Sequence, residues 1–269
     1  MLLSVIVPTD NCKKFLDEGL NSIICQLSPE CELIVVDDGS SDGTADQVST
    51  YEGRYENVRI RLAKHQGASG ARNIGIDMSK GKYITFMDCD DCMIESNLEK
   101  YIEEMKTEAD LYIYGFVREY LSGEKALFTP EDHFFDPISD LGDELIRGKS
   151  YYTYSNCNKL YKRSLIDKLS LRFEQKTSFG EDRLFNYTYM PACQTISTHS
   201  RLTFRYIERS KESMSTKPVA DYMTLIKRLH DEKLACYCSM STGTTPEEIE
   251  AFRKKDWEDE LRKAEGMSL

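Results

Sequence analysis

Residues 82–92 read KYITFMDCDDC. Lys82–Met87 is an apolar, partly aromatic run of strand length, and it ends abruptly in Asp88, Asp90 and Asp91. Two patterns overlap here. Cys89 and Cys92 form C-x-x-C, the spacing of a redox pair or half a zinc site. The aspartates form D-x-D-D, the spacing of a carboxylate clamp for Mg²⁺ or Mn²⁺, ions that keep waters and bridge to phosphates. A structural zinc takes four nitrogen or sulfur ligands. No second C-x-x-C or histidine pair supplies them, and Cys236-Tyr237-Cys238 has the wrong spacing. A redox pair sits in a positive field, whereas two carboxylates lie between these thiols and should raise their pKa values. The aspartate spacing is the signal and the cysteine spacing incidental. In isolation the plainer reading stays open, that the acids cap a helix or solvate a loop.

Working outward, the same arrangement recurs. Leu2–Val7 is a β-branched run, followed by Leu16, Leu20, Ile23, Ile24 and Leu27 at helical spacing. Glu32–Asp37 is a second strand, a polar helix follows Gly43, Val58–Leu62 is a third strand and Ala68–Met78 a helix. Short apolar strands alternating with helices predict a parallel sheet with helices on both faces. Polar residues cluster after each strand: Pro8-Thr9, Asp37-Asp38 and Asp88 to Asp91. In an open parallel sheet these ends share one edge, where ligands bind. Further along, Asp110–Val117 reads as a strand and Gly123–Pro137 as a polar excursion broken by Pro130 and Pro137. Asn158–Tyr161 precedes a short helix, Phe179–Asp182 opens another, and Thr195–Ile207 alternates as a strand or hairpin. From Lys217 the chain reads as helical, with Thr245-Pro246-Glu247-Glu248 as a capping box. These segments divide into 1–95, a ligand-binding half; 96–216, the other half of the same domain; and 217–269, a C-terminal helical tail.

Three further segments could carry chemistry. Val35–Thr44 ends a strand in two aspartates and turns through Gly and Ser; it suits either contact with a base or ribose, or a plain turn and N-cap. Gly67–Gly75 is rich in small residues that permit close backbone approach, and Arg72 within it could reach a phosphate; close packing of a helix on the sheet is the alternative. Glu181-Asp182 suits a helix start, where the dipole favours acids, or a general base.

The chain has 269 residues, a net charge of −11 and ordinary soluble composition, with 40% hydrophobic and 30% charged residues. The negative balance argues against a nucleic-acid partner. The nine cysteines are scattered, as buried thiols of a reducing compartment would be. Met1–Pro8 reads as a first strand and not as a signal peptide, and no apolar run reaches the ~20 residues of a membrane span. A cytoplasmic protein, or one peripheral to the inner face of a membrane, is expected.

Taken in order, V-I-V-P-T, V-V-D-D-G-S-x-D-G-T, G-x-S-x-A-R-N-x-G, F-x-D-x-D-D, N-K-L-Y and G-E-D resemble the inverting, family 2 glycosyltransferases of the GT-A fold, of the bacterial cell-surface polysaccharide type. The likeness runs from about Ser4 to Met214. It implies a Rossmann-like, mostly parallel α/β sheet flanked by helices, and a UDP-sugar donor with a glycan or lipid-linked glycan acceptor. It further implies Pro8 and Thr9 near the base, Asp38 with Asp37 on uracil or ribose, and Arg72 lining the donor site. Asp90 becomes the direct ligand of Mn²⁺ or Mg²⁺, with Asp88 on ribose or a metal water, and Asp91 a donor-sugar contact. Asp182 matches the catalytic base and Glu181 the acceptor side. Tyr206, Arg209 and Ser213 resemble a segment that closes over the diphosphate. The chain departs from the pattern at His65-Gln66, where Asn usually precedes the glycine, and at Cys157, where an aromatic often precedes N-K-L-Y.

Two other functions compete. A sugar-nucleotide nucleotidyltransferase would carry a glycine-rich basic first loop, and Pro8-Thr9-Asp10-Asn11 is neither. A degenerate sugar-nucleotide-binding module would have lost its acids, and the D-x-D and E-D pairs are intact. The tail around Phe252–Trp257 has mixed charge, so a membrane-surface contact, an exposed helix and a homodimer contact all stay open for it.

Overall fold

Successive strands and helices of the first half are β1 (Leu3–Thr9), α1 (Lys13–Ile24), β2 (Cys31–Asp37), α2 (Thr44–Ser49), β3 (Val58–Leu62), α3 (Gly67–Met78) and β4 (Tyr83–Phe86). They come from a computed structural model that describes residues 1–177, 179–209 and 221–267. Every residue of β1 and β2 is buried, the mark of strands covered on both faces. Their side chains alternate between two cores. Ile6, Ile34 and Val36 pack with Ala71 and Ile76 of α3, while Val5, Val7, Leu33 and Val35 pack with Leu16, Leu20 and Ile23 of α1. Each such side chain removed from water contributes about 1.5–3 kcal/mol. The apolar runs therefore fix both the strands and the helix pair that sandwiches them.

β1 runs parallel to both β2 and β4 and places Thr9 beside Asp37, while β2 runs parallel to β3. The carboxyl ends of these strands thus share one edge. Asp37, Asp38 and the acids after Phe86 gather there.

The second half adds β5 (Cys92–Met93), α4 (Asn97–Glu104), β6 (Leu111–Glu119), β7 (Lys125–Phe128), β8 (His133–Phe135), α5 (Ser139–Ile146), β9 (Lys159–Lys162), α6 (Arg163–Leu169), α7 (Glu181–Tyr189) and β10 (Ile196–Ile207). One mixed sheet results, in the order β3-β2-β1-β4-β9-β6-β10-β5, with β7 on β6 and β8 on β10. β9 lies antiparallel between β4 and β6. Asn158-Lys159-Leu160-Tyr161 is therefore the approach to and body of a central strand as well as the prelude to a helix. The excursion over 123–137 contains β7 and β8. Its pairing is hard to read because β7 is short and places the apolar Leu127, 64% exposed, on the exposed face with Lys125.

Beyond β10, α8 (Tyr222–Met240) packs against α5 and α7, and α9 (Pro246–Met267) against α8. The capping box forms: Thr245 N donates to Glu248 Oε2 at 2.8 Å and Glu248 N to Thr245 Oγ1 at 3.2 Å. No helix among the described residues is long and apolar enough to cross a membrane.

Gly75 marks the closest approach of α3 to the sheet. A Cβ there would lie 2.3 Å from Ile6 Cγ2, and Ile6 is fully buried. Gly75→Ala is expected to destabilise the fold by about 1–3 kcal/mol through overpacking, read as a lowered midpoint in urea denaturation with unchanged slope.

Candidate active site

The turn after β1 is woven into the turn after β2. Thr9 Oγ1 donates to Asp37 Oδ1 at 3.0 Å, and Asp37 also accepts from the Ser40 hydroxyl at 2.6 Å and the Ser40 amide at 3.1 Å. Asn11 adds a second tie, donating from its backbone to Ser40 Oγ at 3.0 Å and accepting from Ser41 N at 3.0 Å. Asp42 receives the Lys13 amide at 3.2 Å and the Thr44 hydroxyl at 2.6 Å; the hydroxyl is the main reason its carboxyl titrates below the usual range. Asn11, Ser40 and Asp42 are absent from the expected site, although S-x-D-G is legible as the turn that would need them.

Asp38 is buried and reaches across to the start of α3. Its two oxygens accept from Gln66 N and Gly67 N, each at 2.7 Å. His65 Nδ1 lies 2.9 Å from Oδ2. The Asp38 backbone and side chain push the imidazole of His65 upward. The departure at His65-Gln66 thus brings an imidazole nitrogen to the same carboxylate that the Gln66 amide contacts.

Asp88, Asp90 and Asp91 crowd the loop after β4. Burial and the charge of Asp88 push the Asp90 carboxyl up; burial, Asp88 and Asp90 push Asp91 further. Asp91 Oδ1 accepts from Ile207 N at 2.9 Å, pinning the loop to the end of β10, while Oδ2 is buried without a protein partner. Arg209 holds the same loop from outside. Its Nε and Nη2 donate to the Asp90 carbonyl at 3.1 and 2.9 Å, and Nη2 to Glu18 Oε2 at 3.0 Å. Tyr206 is half-buried beside them, under the Arg118 guanidinium at 5.6 Å. Ser213 lies outside the described residues.

Neither thiol of the C-x-x-C belongs to a reactive pair. Cys92 is in β5, its pKa pushed up to about 11 by burial and then by Glu18. Cys89 is raised first by the neighbouring Cys12 thiol of the β1 turn and then by burial, with Asp90 and Asp88 behind. Its sulfur partner is Cys12, and both are buried free thiols. Protonated buried thiols are inert.

Arg72 joins this loop to α7. Only 6% exposed, it donates from Nη2 to Asp88 Oδ1 at 2.8 Å and from Nη1 to Glu181 Oε1 at 2.9 Å. Burial opposes its charge, but Asp88 and Glu181 outweigh burial and hold it firmly protonated. Its plane lies over Phe173 at 5.5 Å. The adjacent Asn73 clamps that residue's backbone, donating to Phe173 O at 2.8 Å and accepting from Phe173 N at 2.7 Å. Phe173 in turn stacks on Phe185 of α7 at 4.2 Å. The A-R-N segment therefore fastens α7 to the strand edge through both polar residues.

The helix α7 starts behind Gly180, which adopts φ +80°, a left-handed conformation that suits glycine. Asp182 is half-buried, and its Oδ1 accepts from Arg183 N at 2.8 Å. Burial and the adjacent Glu181 raise its pKa to about 6, against the pull of Arg183 and Arg72. Such a carboxyl is a competent base near neutrality.

Between the acids after β4 and Asp182 lies the segment before β9, which the expected site omits. The Cys157 thiol feels Asp88, Arg72, Asp91 and Asp182 at once. Asn156, buried, accepts from that thiol at 3.1 Å and leaves its Nδ2 without a protein partner. Lys159 is fully buried and donates to the carbonyls of Tyr152, at 3.0 Å, and Ser155, and to Asn158 Oδ1, at 2.8 Å. Burial brings its pKa down to about 7 although Asp182 favours its charge. N-K-L-Y reads in the sequence as the prelude to a short helix, and nothing in its spacing reveals a strand that brings Cys157 and Lys159 near these acids.

The donor set suits a hard divalent cation only as a partial shell. No group of three or more His, Cys, Asp or Glu among the described residues could enclose an ion by itself. Asp90, half-buried and raised by crowding, and Asp88, 38% exposed at its side chain, offer oxygens beside the orphaned Asp91 Oδ2. An ion here would take its remaining ligands from water or a phosphate, as Mg²⁺ and Mn²⁺ do.

Comparison with known proteins agrees with this geometry. The family model "Glycosyl transferase family 2" matches residues 4–170. The chain is 25% identical over 243 residues to the uncharacterized glycosyltransferase EpsJ of Bacillus subtilis (strain 168), covering 88% of this chain and 70% of that protein. It is 31% identical over 220 residues to the poly(ribitol-phosphate) beta-N-acetylglucosaminyltransferase TarP of Staphylococcus aureus (strain N315), covering 78% of this chain and 64% of TarP. It spans 34% of the poly(ribitol-phosphate) beta-glucosyltransferase of Bacillus spizizenii, to which it is 28% identical over 221 residues, 80% of this chain. The fold matches the crystal structure of S. aureus TarS 1-349 in complex with UDP-GlcNAc with a TM-score of 0.74 at 24% identity, covering 94% of this chain and 70% of that one. The family model covers more than half of the chain, and this chain belongs to glycosyl transferase family 2.

Proposed function

We propose that this protein transfers a hexose or N-acetylhexosamine from a UDP-sugar to a hydroxyl of a glycan or lipid-linked glycan, inverting the anomeric centre. The observation that carries this reading is the Arg72 bridge, 2.8 Å to Asp88 and 2.9 Å to Glu181. It sets a cluster of acids suited to a metal–diphosphate beside a helix start that presents a base of raised pKa. The relatives support the substrate class: TarS is named in complex with UDP-GlcNAc, and TarP and the Bacillus spizizenii protein act on poly(ribitol-phosphate).

In this reading the turns at Pro8-Thr9 and Asp37-Asp38 receive the nucleoside. Asp90 and Asp88 hold Mn²⁺ or Mg²⁺, which when bound neutralises charge on the departing diphosphate. Asp91 faces the donor sugar, Arg209 steadies the Asp90 loop, and Tyr206 flanks it. Asp182 accepts the proton of the acceptor hydroxyl as that oxygen attacks the anomeric carbon, and Glu181 lines the acceptor side. A single displacement inverts configuration. A retaining route through a glycosyl-enzyme would need a second carboxylate as nucleophile.

Two outcomes test the assignment. Asp182→Asn is expected to lower transfer by ~10²–10⁴-fold, the usual worth of a general base, with UDP affinity by calorimetry unchanged. In the native enzyme kcat/KM should climb as pH rises through about 6, since Asp182 must lose its proton to act; retained transfer in the Asn variant would remove Asp182 from the mechanism. Separately, one UDP-sugar should raise the melting temperature with Mn²⁺ and not with EDTA. Asp90→Ala should lose that response, and the double variant Cys89→Ser/Cys92→Ser should keep it.

A further inference from the structure

Helix α9 is mostly a charged, solvent-facing helix, yet two of its acids are buried. Asp256 and Glu260 are 8% and 5% exposed, and their i,i+4 spacing puts them on one face. Each holds a cation. Asp256 Oδ1 accepts from Lys233 of α8, and its Oδ2 meets His230 Nδ1 at 2.8 Å. Glu260 Oε2 lies 3.6 Å from Arg183 Nη1. The two cations bracket one ring. Arg183 lies 4.9 Å from the Tyr154 centroid, as does Lys233 Nζ, and Lys233 also donates to the Tyr154 hydroxyl at 2.6 Å. Tyr154 belongs to the segment before β9, and its carbonyl accepts from Asn186 of α7 at 2.8 Å.

Arg183 is thus a point where the tail meets the helix that bears Asp182. Its amide donates to Asp182 Oδ1, and its guanidinium is packed between Tyr154 and Phe179, the latter at 5.4 Å. We infer that Arg183 and Glu260 are positioning residues through which the C-terminal helix pair sets the electrostatic field at Asp182. The inference rests on Asp182 being the base.

The charges facing these groups fix the sign. Asp182 faces Glu181 and Arg183 on α7 and Arg72 on α3; across from it are Cys157, Lys159 and Tyr161. Arg183 faces Asp182 and Tyr187 on its own helix, Tyr154 beneath it, Glu260 on α9 and Tyr222 on α8. Glu260 offsets part of the Arg183 charge, and Arg183 favours ionised Asp182. Removing Glu260 leaves more of the Arg183 charge to act on Asp182 and makes Asp182 more acidic. Removing the Arg183 charge makes Asp182 less acidic. Arg72 and Glu181 stay in place in both cases.

The test is the acid limb of kcat/KM against pH for E260Q, R183Q and R183K in the full chain, with folding checked by circular dichroism. E260Q should move the limb to lower pH and R183Q to higher pH, each by roughly 0.5 unit or more, while R183K keeps the native position. Limbs that move together, or do not move in variants that fold, would overturn the inference, because a packing role alone lowers rate without opposite shifts. Should E260Q not fold, the R183Q–R183K contrast reads the same field from the other side. Carbon-13 titration of the Asp182 carboxyl reports the same shifts without turnover. A wild-type protein inactive on every UDP-sugar would therefore count against the proposed function and leave this inference to the titration.

Discussion

A single buried guanidinium couples the two halves of the site. Arg72 sits where α3 meets the strand edge and divides its charge between Asp88 and Glu181. The guanidinium is buried and held at both ends, by Asp88 at 2.8 Å and by Glu181 at 2.9 Å. The bridge thus ties the placement of the acid loop to that of α7. Its geometry also depends on neighbours that have no charge. Gly75 lets α3 lie close enough to Ile6 for Arg72 to reach the edge, and Asn73 fixes Phe173, on whose face the guanidinium rests. Three residues of one helix, Arg72, Asn73 and Gly75, therefore act on a site built from separate stretches of chain.

The sequence made the strand edge legible because parallel strands buried on both faces leave little ambiguity. β1 and β2 are continuous apolar runs, and the acids that follow them mark where burial ends. The third strand coincides with the expected Val58–Leu62, and α1 and α3 follow their apolar spacing. Legibility fails where a residue's role depends on a long-range partner. Arg72 reads as a phosphate ligand by pattern, but both of its terminal nitrogens are spent within the protein. Arg209 reads as a diphosphate clasp, and its donors meet the Asp90 carbonyl and Glu18. Cys89 pairs with Cys12 across the turn and not with Cys92 three residues on, because the strand that follows carries Cys92 away.

The segment from Tyr152 to Lys159 was opaque for a different reason. Its polar residues are held by carbonyls and by one another, contacts that leave no periodicity. Lys159 is a fully buried lysine whose three donors are satisfied by two carbonyls and an amide; burying it is tolerable only because each proton has an acceptor. That lysine organises the loop bearing Tyr154, Asn156 and Cys157, which lies between the acid loop and Asp182. A motif that reads locally as the prelude to a helix is, in three dimensions, a central strand whose approach lies beside the acids.

The balance of charge explains why such a site would take a divalent ion. The chain carries a net charge of −11, and Asp88, Asp90, Asp91, Glu181 and Asp182 converge within one region. Asp90, Asp91 and Asp182 are all raised, in each case by burial together with neighbouring acids. Arg72 and Arg209 are already engaged by protein acceptors, so a diphosphate arriving alone would add negative charge to a region that is short of positive charge. An ion held by Asp90 and Asp88 would offset part of that negative charge at the acid loop. On the far side of Arg72 it leaves the crowding that raises Asp182 in place. The Arg72 bridge thus stands between two groups of carboxylates, Asp88 with its neighbours on one side and Glu181 with Asp182 on the other.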